Sequence, residues 1–124
     1  NKKQKKTLFD SQERAELAEK AIEGVEGVRV ETFDGLIIHY ANANNANVLI
    51  RGLRMISDFE FELQMALTNR RLDEKIETVF LMLLEGNSFV SSTLLKEAAS
   101  LGADISSFVP DFIAKAVKDK LGVS

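Results

Sequence analysis

Between Asn47 and Arg71 the chain passes directly from a short apolar run to a pair of arginines and then to a long helix-forming segment, and this order restricts the architecture more than any other stretch. Val48-Leu49-Ile50 is the continuous apolar run that a strand buried on both faces requires. Arg51-Gly52-Leu53-Arg54 follows as an expected turn that sets two cations either side of a glycine. Ser57 and Glu60 have the spacing of a capping box and predict a helix start. Strand, cationic turn and helix in succession is how an open α/β sheet presents an anion site at the carboxyl ends of its strands.

The segment after the turn has two competing periods. Phe59, Phe61, Leu63, Met65 and Leu67 recur at every second position, as in a strand. Residues 58–72 nevertheless read as a helix, because Glu, Gln, Met, Ala and Leu dominate and no β-branched residue precedes Thr68. On that helix Phe59, Leu63, Ala66 and Leu67 form one apolar stripe, and Phe61, Met65 and Leu72 form a second. Two stripes predict burial on two sides, one against the sheet and one against a neighbouring subunit.

The flanking sequence completes an alternating pattern. Asp10 and Glu13 form another capping box, predicting a helix to about Glu23 with Ala15, Leu17, Ala18, Ala21 and Ile22 inward. Residues 28–33 alternate with β-branched character and predict a strand, turned by Asp34-Gly35. A helix is expected over residues 36–43, with Leu36, Tyr40 and Ala43 in register beside Ile37. A third strand is expected over residues 77–84, followed by a turn at Glu85-Gly86-Asn87, a helix from Ser91 to about Ser100, and a last helix whose first turn holds Pro110. Phe112, Ile113, Ala116 and Val117 should face inward on it. Strands alternating with helices predict an α/β fold, a Rossmann-like parallel sheet with flanking helices.

With 124 residues the chain suits one domain, spanning residues 1–124. A net charge of −3 disfavours wholesale nucleic-acid binding but leaves room for a local cationic site. The absence of cysteine excludes disulfides and thiolate metal sites and fits a cytoplasmic protein. No apolar run reaches membrane-spanning length and no secretory pattern opens the chain.

Few groups have the character of a reaction centre. Arg51 and Arg54 are forked cations suited to phosphate oxygens, or else surface arginines paired with Asp58, Glu60 or Glu62. Ser88, Phe89, Val90, Ser91, Ser92 and Thr93 follow a strand and open a helix, which suits either an anion site or ordinary capping. His39, the sole histidine, falls mid-helix with no nucleophile motif beside it, so neither a histidine catalyst nor a histidine metal site is expected. Glu60 and Glu62 are two apart and do not face each other on a helix, although Glu62 can point back toward the arginines. Lys2, Lys3, Lys5 and Lys6 read as a solvated basic tail, unless one of them reaches a phosphate.

Several runs in this order resemble bacterial phosphopantetheine adenylyltransferases of the nucleotidyltransferase superfamily: Phe33-Asp-Gly-Leu, Val48-Leu-Ile-Arg-Gly-Leu-Arg, Ser57-Asp-Phe-Glu-Phe-Glu, Glu77-Thr-Val-Phe-Leu-Met, Ser88-Phe-Val-Ser-Ser-Thr-Leu-Leu-Lys-Glu and Val109-Pro110. The resemblance spans the chain. It implies adenylyl transfer from ATP to 4′-phosphopantetheine with Mg²⁺, giving dephospho-coenzyme A and pyrophosphate in coenzyme A biosynthesis, and a cytoplasmic homohexamer. No covalent intermediate is implied; positioning and charge neutralisation suffice, which agrees with an inventory of cations and serine turns.

Carried over by resemblance, Lys5 is expected to contact the reacting phosphates and Arg51 to hold phosphopantetheine, with Leu36 and Ile37 along its pantetheine arm. Gly52, Leu53, Arg54, Glu62, Asn87, Ser88, Phe89, Val90, Ser91, Ser92 and Thr93 match ATP contacts. No residue matches a metal ligand. The family's opening strand, its Thr/His-x-Gly-His turn, a helix and a second strand have no counterpart here, so the match is to a carboxyl-terminal portion, in which the strand at 28–33 should stand apart from the other two. Leu83-Leu84-Glu85-Gly86-Asn87 also departs from the family's Pro-Ser and aromatic pattern. Two other readings stay open: a related enzyme with another phosphorylated acceptor, and a non-catalytic fragment that binds coenzyme A or phosphates, or self-associates.

Overall fold

The computed structural model describes residues 7–83 and 90–124, apart from the side chains of Ile56 and Ser57. The elements run α1 (Ser11–Ala21), α2 (Ile37–Ala43), β1 (Val48–Leu53), α3 (Ile56–Leu72), β2 (Glu77–Met82), α4 (Ser92–Ser100) and α5 (Asp111–Leu121). They fall into two compact units, one of residues 33–90 and one of residues 1–32 with 91–124.

The unit of residues 33–90 is a parallel β–α–β element with α2 in front of it. β1 and β2 pair in parallel from Val48 opposite Glu77 to Leu53 opposite Met82. The Glu77 N–H donates to the Asn47 carbonyl at 2.8 Å, and the Leu83 N–H donates to the Leu53 carbonyl at 3.0 Å, so the ladder continues past both ends of the strands. Parallel strands cannot be joined by a tight hairpin, and α3 supplies the crossover. Ile38, Ala41 and Ile76 form the buried cluster, with Ile37 and Leu49 packed against it. Asn42 Nδ2 donates to Asp73 Oδ2 at 2.6 Å, tying the end of α2 to the end of α3.

The other unit is helical among the described residues. The Asp10–Glu13 box starts α1: the Glu13 N–H donates to Asp10 Oδ1 at 2.8 Å and the Asp10 N–H donates to Glu13 Oε1 at 3.1 Å. α5 has Pro110 at its N-cap and ends at Gly122, whose φ of 69° lies where a side chain is disfavoured. Ala99, Ile105, Ala114 and Val117 make the core, flanked by Leu8, Phe9, Leu95 and Ile113. Lys120 Nζ reaches Glu13 Oε2 at 2.7 Å and Lys20 Nζ lies 4.9 Å from the Phe112 ring centre, so two cations brace α1 against α5.

Several expectations are corrected. Residues 28–33 form no strand; Val28 and Phe33 are exposed, and Phe33 stacks on Tyr40 at 4.6 Å. Alternation alone does not make a strand without a neighbour to complete its ladder. The arginine segment is not a turn at first: Arg51, Gly52 and Leu53 remain in β1 because β2 pairs with them to its end. Ser57 and Glu60 do not cap α3, which begins two residues earlier, with Met55 as N-cap and its N–H donating to Asp58 Oδ2 at 3.3 Å. The strands are not buried on both faces; Val48, Ile50, Val79 and Leu81 share an exposed face, and Leu53 is the buried residue of β1. α2 buries Ile38 and Ala41, not Leu36, Tyr40 and Ala43. The first stripe of α3 is incompletely covered: Phe59 meets Phe80 edge-on at 5.8 Å, but Leu67 is exposed. Pro110 lies one position ahead of the helix it was expected to enter.

Candidate functional site

Strand alternation places Leu49, Arg51 and Leu53 on one face of β1. α3 lies over that face, and its second turn carries Glu62. Arg51 Nε donates to Glu62 Oε2 at 2.9 Å and Arg51 Nη2 to Glu62 Oε1 at 2.6 Å, a two-point fork. The Glu62 side chain is 13% exposed and that of Arg51 50%, so the carboxylate is the enclosed member of the pair. The hydrogen bond from Arg51 holds the Glu62 carboxyl below its usual range, and the same bond raises the Arg51 guanidinium above its own.

Arg54 stands just beyond the strand. Its Nη1 donates to the Val90 carbonyl at 2.9 Å, and its Nε is 3.5 Å from Asp58 Oδ2. Asp58 therefore caps α3 and faces Arg54 with the same oxygen. Both alternatives for these arginines coexist: each is paired with an acid, and each still borders open space.

Two cavities meet at the Arg51–Glu62 pair. A groove of about 290 Å³ is lined by Phe33, Ile37, Leu49, Ile50, Met65, Ala66, Asn69 and Thr78 as well as by the pair. A recess of about 380 Å³ is lined by Gly52, Arg54, Asp58 and Phe61, again with the pair. The first is mainly apolar and the second mainly charged. Such a combination can hold an extended ligand by an apolar arm and an anionic group.

The expected residues divide accordingly. Arg51, Gly52, Arg54 and Glu62 come together at the recess, and Ile37 lines the groove. Leu36, the N-cap of α2, is exposed and does not line either cavity. Leu53 has a buried side chain, and its carbonyl accepts from Leu83. The Val90 carbonyl binds Arg54. Ser91 is the N-cap of α4 without a side-chain capping bond, and Ser92 and Thr93 are exposed in its first turn; these three belong to the helical unit. Lys5, Asn87, Ser88 and Phe89 lie outside the described residues. His39 is exposed in the middle of α2, as expected.

Met65, Ala66 and Asn69 in the groove were missed by reading α3 as apolar stripes alone. With Glu62 they stand at i, i+3, i+4 and i+7, a single helix face. Starting that count from the charged residue would have found them.

Residues 1–98 match a family described as Cytidylyltransferase-like. The chain is 46% identical over 118 residues to a protein of Desulfosudis oleivorans named phosphopantetheine adenylyltransferase, covering 95% of this chain and 70% of that one. A protein of the same name from Oleidesulfovibrio alaskensis is 47% identical, covering 95% of this chain and 69% of its own length. Another from Caldanaerobacter subterraneus subsp. tengcongensis is 46% identical over 116 residues, covering 94% and 72%.

Proposed function

Since the chain belongs to the phosphopantetheine adenylyltransferases, within the cytidylyltransferase-like family, we propose that its reaction is adenylyl transfer from ATP to 4′-phosphopantetheine. A phosphate oxygen of the acceptor attacks the α-phosphorus of ATP. The new O–P bond forms as the bond to the β-phosphate oxygen breaks, and pyrophosphate departs with the bonding electron pair, leaving dephospho-coenzyme A. The reading is carried by one observation: Arg51 sits where an apolar groove opens into a charged recess lined by two arginines and the acids that hold them.

The groove accepts the pantetheine arm beside Ile37, and Arg51 holds the acceptor phosphate at its end. Gly52 borders the recess, and Arg54 offers positive charge to the nucleotide phosphates. Fixed cations at the place where charge develops assist the transfer without reorganising. Lys5 is assigned to the reacting phosphates, and Ser91, Ser92 and Thr93 to ATP, on the strength of the family pattern. Arg51 and Arg54 hold and orient; neither has to accept a proton.

Mg²⁺ is proposed as the accompanying cation. The described residues contain no cluster of three carboxylate or histidine ligands, and Asp58 in the recess is already engaged by Arg54. A protein cage does not fit the recess, so no step is assigned to the ion; it is proposed to travel with the ATP phosphates, a habit of Mg²⁺ sites.

A homo-oligomer, hexameric in the family pattern, and a cytoplasmic location complete the proposal. The exposed Phe61, Leu67 and Leu72 on α3 support the first. Among the described residues no helix is long and apolar enough to cross a membrane. The functional test is pyrophosphate release from ATP with 4′-phosphopantetheine or nicotinamide mononucleotide as acceptor. Release with the first alone supports the proposal. Release with the second alone marks a relative with a different acceptor, and coenzyme A binding without release marks a non-catalytic binder.

A further inference from the structure

Phe33 lies three residues ahead of Leu36, the N-cap of α2, in a stretch without regular structure. Leucine has no side-chain oxygen to offer the first N–H groups of a helix, and α2 is only seven residues long. So short a helix does not start on its own propensity, and contacts outside it must fix where it begins. One such contact is aromatic: Phe33 stacks on Tyr40, with ring centres 4.6 Å apart and planes inclined by 22°. Tyr40 is the fourth residue of α2. The pair therefore works as a hydrophobic staple does, a residue ahead of the cap packing on the fourth helical residue and setting the angle of entry.

The stapled ring borders the apolar groove. Phe33 lines it together with Ile37, the first residue of α2, whereas Tyr40 lines neither the groove nor the recess. Tyr40 is half-buried, while Phe33 stays 43% exposed with its ring stacked. A ring covered on one face and open elsewhere offers a flat apolar wall to whatever enters the groove. An unsupported phenylalanine on an irregular segment would have to be ordered by the ligand itself, and that ordering lowers affinity. The stack orders the ring beforehand. We infer that Tyr40 is a positioning residue for the groove: it holds Phe33 as a preformed wall for the apolar arm of the acceptor. This rests on the functional reading above and adds to it a residue that shapes the groove without touching the ligand. The wall concerns the arm alone, so phosphate and nucleotide binding should be indifferent to it.

Calorimetric titration of the full chain with 4′-phosphopantetheine, pantetheine and a non-hydrolysable ATP analogue tests the inference. The variants are Tyr40→Phe, Tyr40→Leu, Phe33→Ala, and the last two combined. Leucine keeps apolar bulk at position 40 and removes the ring; phenylalanine keeps the ring. Tyr40→Leu should weaken both pantetheine ligands about fivefold, the usual worth of an aromatic pair, and leave the ATP analogue unchanged. Tyr40→Phe should bind as the wild type does. The double variant should bind no more weakly than Phe33→Ala alone, because Tyr40 acts through Phe33. Unchanged pantetheine binding in Tyr40→Leu would overturn the inference. An equal loss of the ATP analogue, or a double variant that adds the two single losses, would mark a general structural role and overturn it as well.

A readout without ligand separates this inference from the functional reading. The Tyr40 ring current should move the Phe33 ring protons upfield in the NMR spectrum of the wild type. Tyr40→Phe should keep that shift and Tyr40→Leu should abolish it. Phe33 protons at their ordinary positions in the wild type would overturn the inference whatever the chain binds. A shift that behaves as expected in a chain that binds neither pantetheine ligand would count against the functional reading and uphold the placement of Phe33 by Tyr40.

Discussion

Arg54 Nη1 donates to the carbonyl of Val90 at 2.9 Å, joining the end of the first strand to a point 36 residues along the chain. The same side chain faces Asp58 through Nε. A single guanidinium thus fixes a backbone carbonyl and a helix-capping carboxylate together, which a lysine cannot do from one ammonium with the same geometry. Arg54→Ala should reduce affinity for an ATP analogue about tenfold. Arg54→Lys should recover only part of it, as read by calorimetry. Full recovery with lysine would mean that charge alone matters.

The pH response of the Arg51–Glu62 pair has a defined sign. The Glu62 carboxyl is held below its ordinary value of 4.5 by the bond from Arg51, so folding favours its charged form. The stabilisation is complete above that ordinary value and is lost as pH falls through the lower folded one. The stability difference between wild type and Glu62→Gln, from urea unfolding, should be flat from neutral pH to about pH 5 and shrink below it. A difference that grew on acidification would contradict this sign.

Ile76 is 2% exposed, at the entrance to the second strand, and packs with Ile38 and Ala41. Ile76→Ala should cost about 3 kcal/mol, combining lost burial with the cavity left behind. Leu101, 82% exposed, is the matching control, and Leu101→Ala should stay within about 0.5 kcal/mol of wild type. Chemical denaturation of the two variants provides the comparison.

Phe61 is 65% exposed on α3. If this surface meets another copy of the chain, replacing Phe61 and Leu67 together by serine should lower the mass measured by sedimentation without lowering helix content. An unchanged mass would remove α3 from the proposed contact.

The helices and the two paired strands were legible because their signals are local. Asp10 and Glu13 lie three apart and form the expected capping box, and the composition of α3 correctly outweighed its strand-like alternation. What misled was information held by neighbours. The alternation at residues 28–33 has no adjoining strand in the described structure, and the apolar character of β1 and β2 does not reveal that one of their faces stays open. The site was legible in its charges: Arg51, Arg54 and Glu62 stood out, and Glu62 does reach back to Arg51. Its apolar half was less so, because Met65, Ala66 and Asn69 resemble ordinary helix residues until the groove beside them is seen.

The central claim is that Arg51 holds the acceptor phosphate. The most direct test is to titrate 4′-phosphopantetheine and its dephosphorylated form, pantetheine, into the wild-type chain and into Arg51→Ala. The wild type should favour the phosphorylated ligand by at least about tenfold, and Arg51→Ala should lose most of that preference while binding pantetheine as before. A preference for the phosphorylated ligand that survives intact in Arg51→Ala would contradict the account.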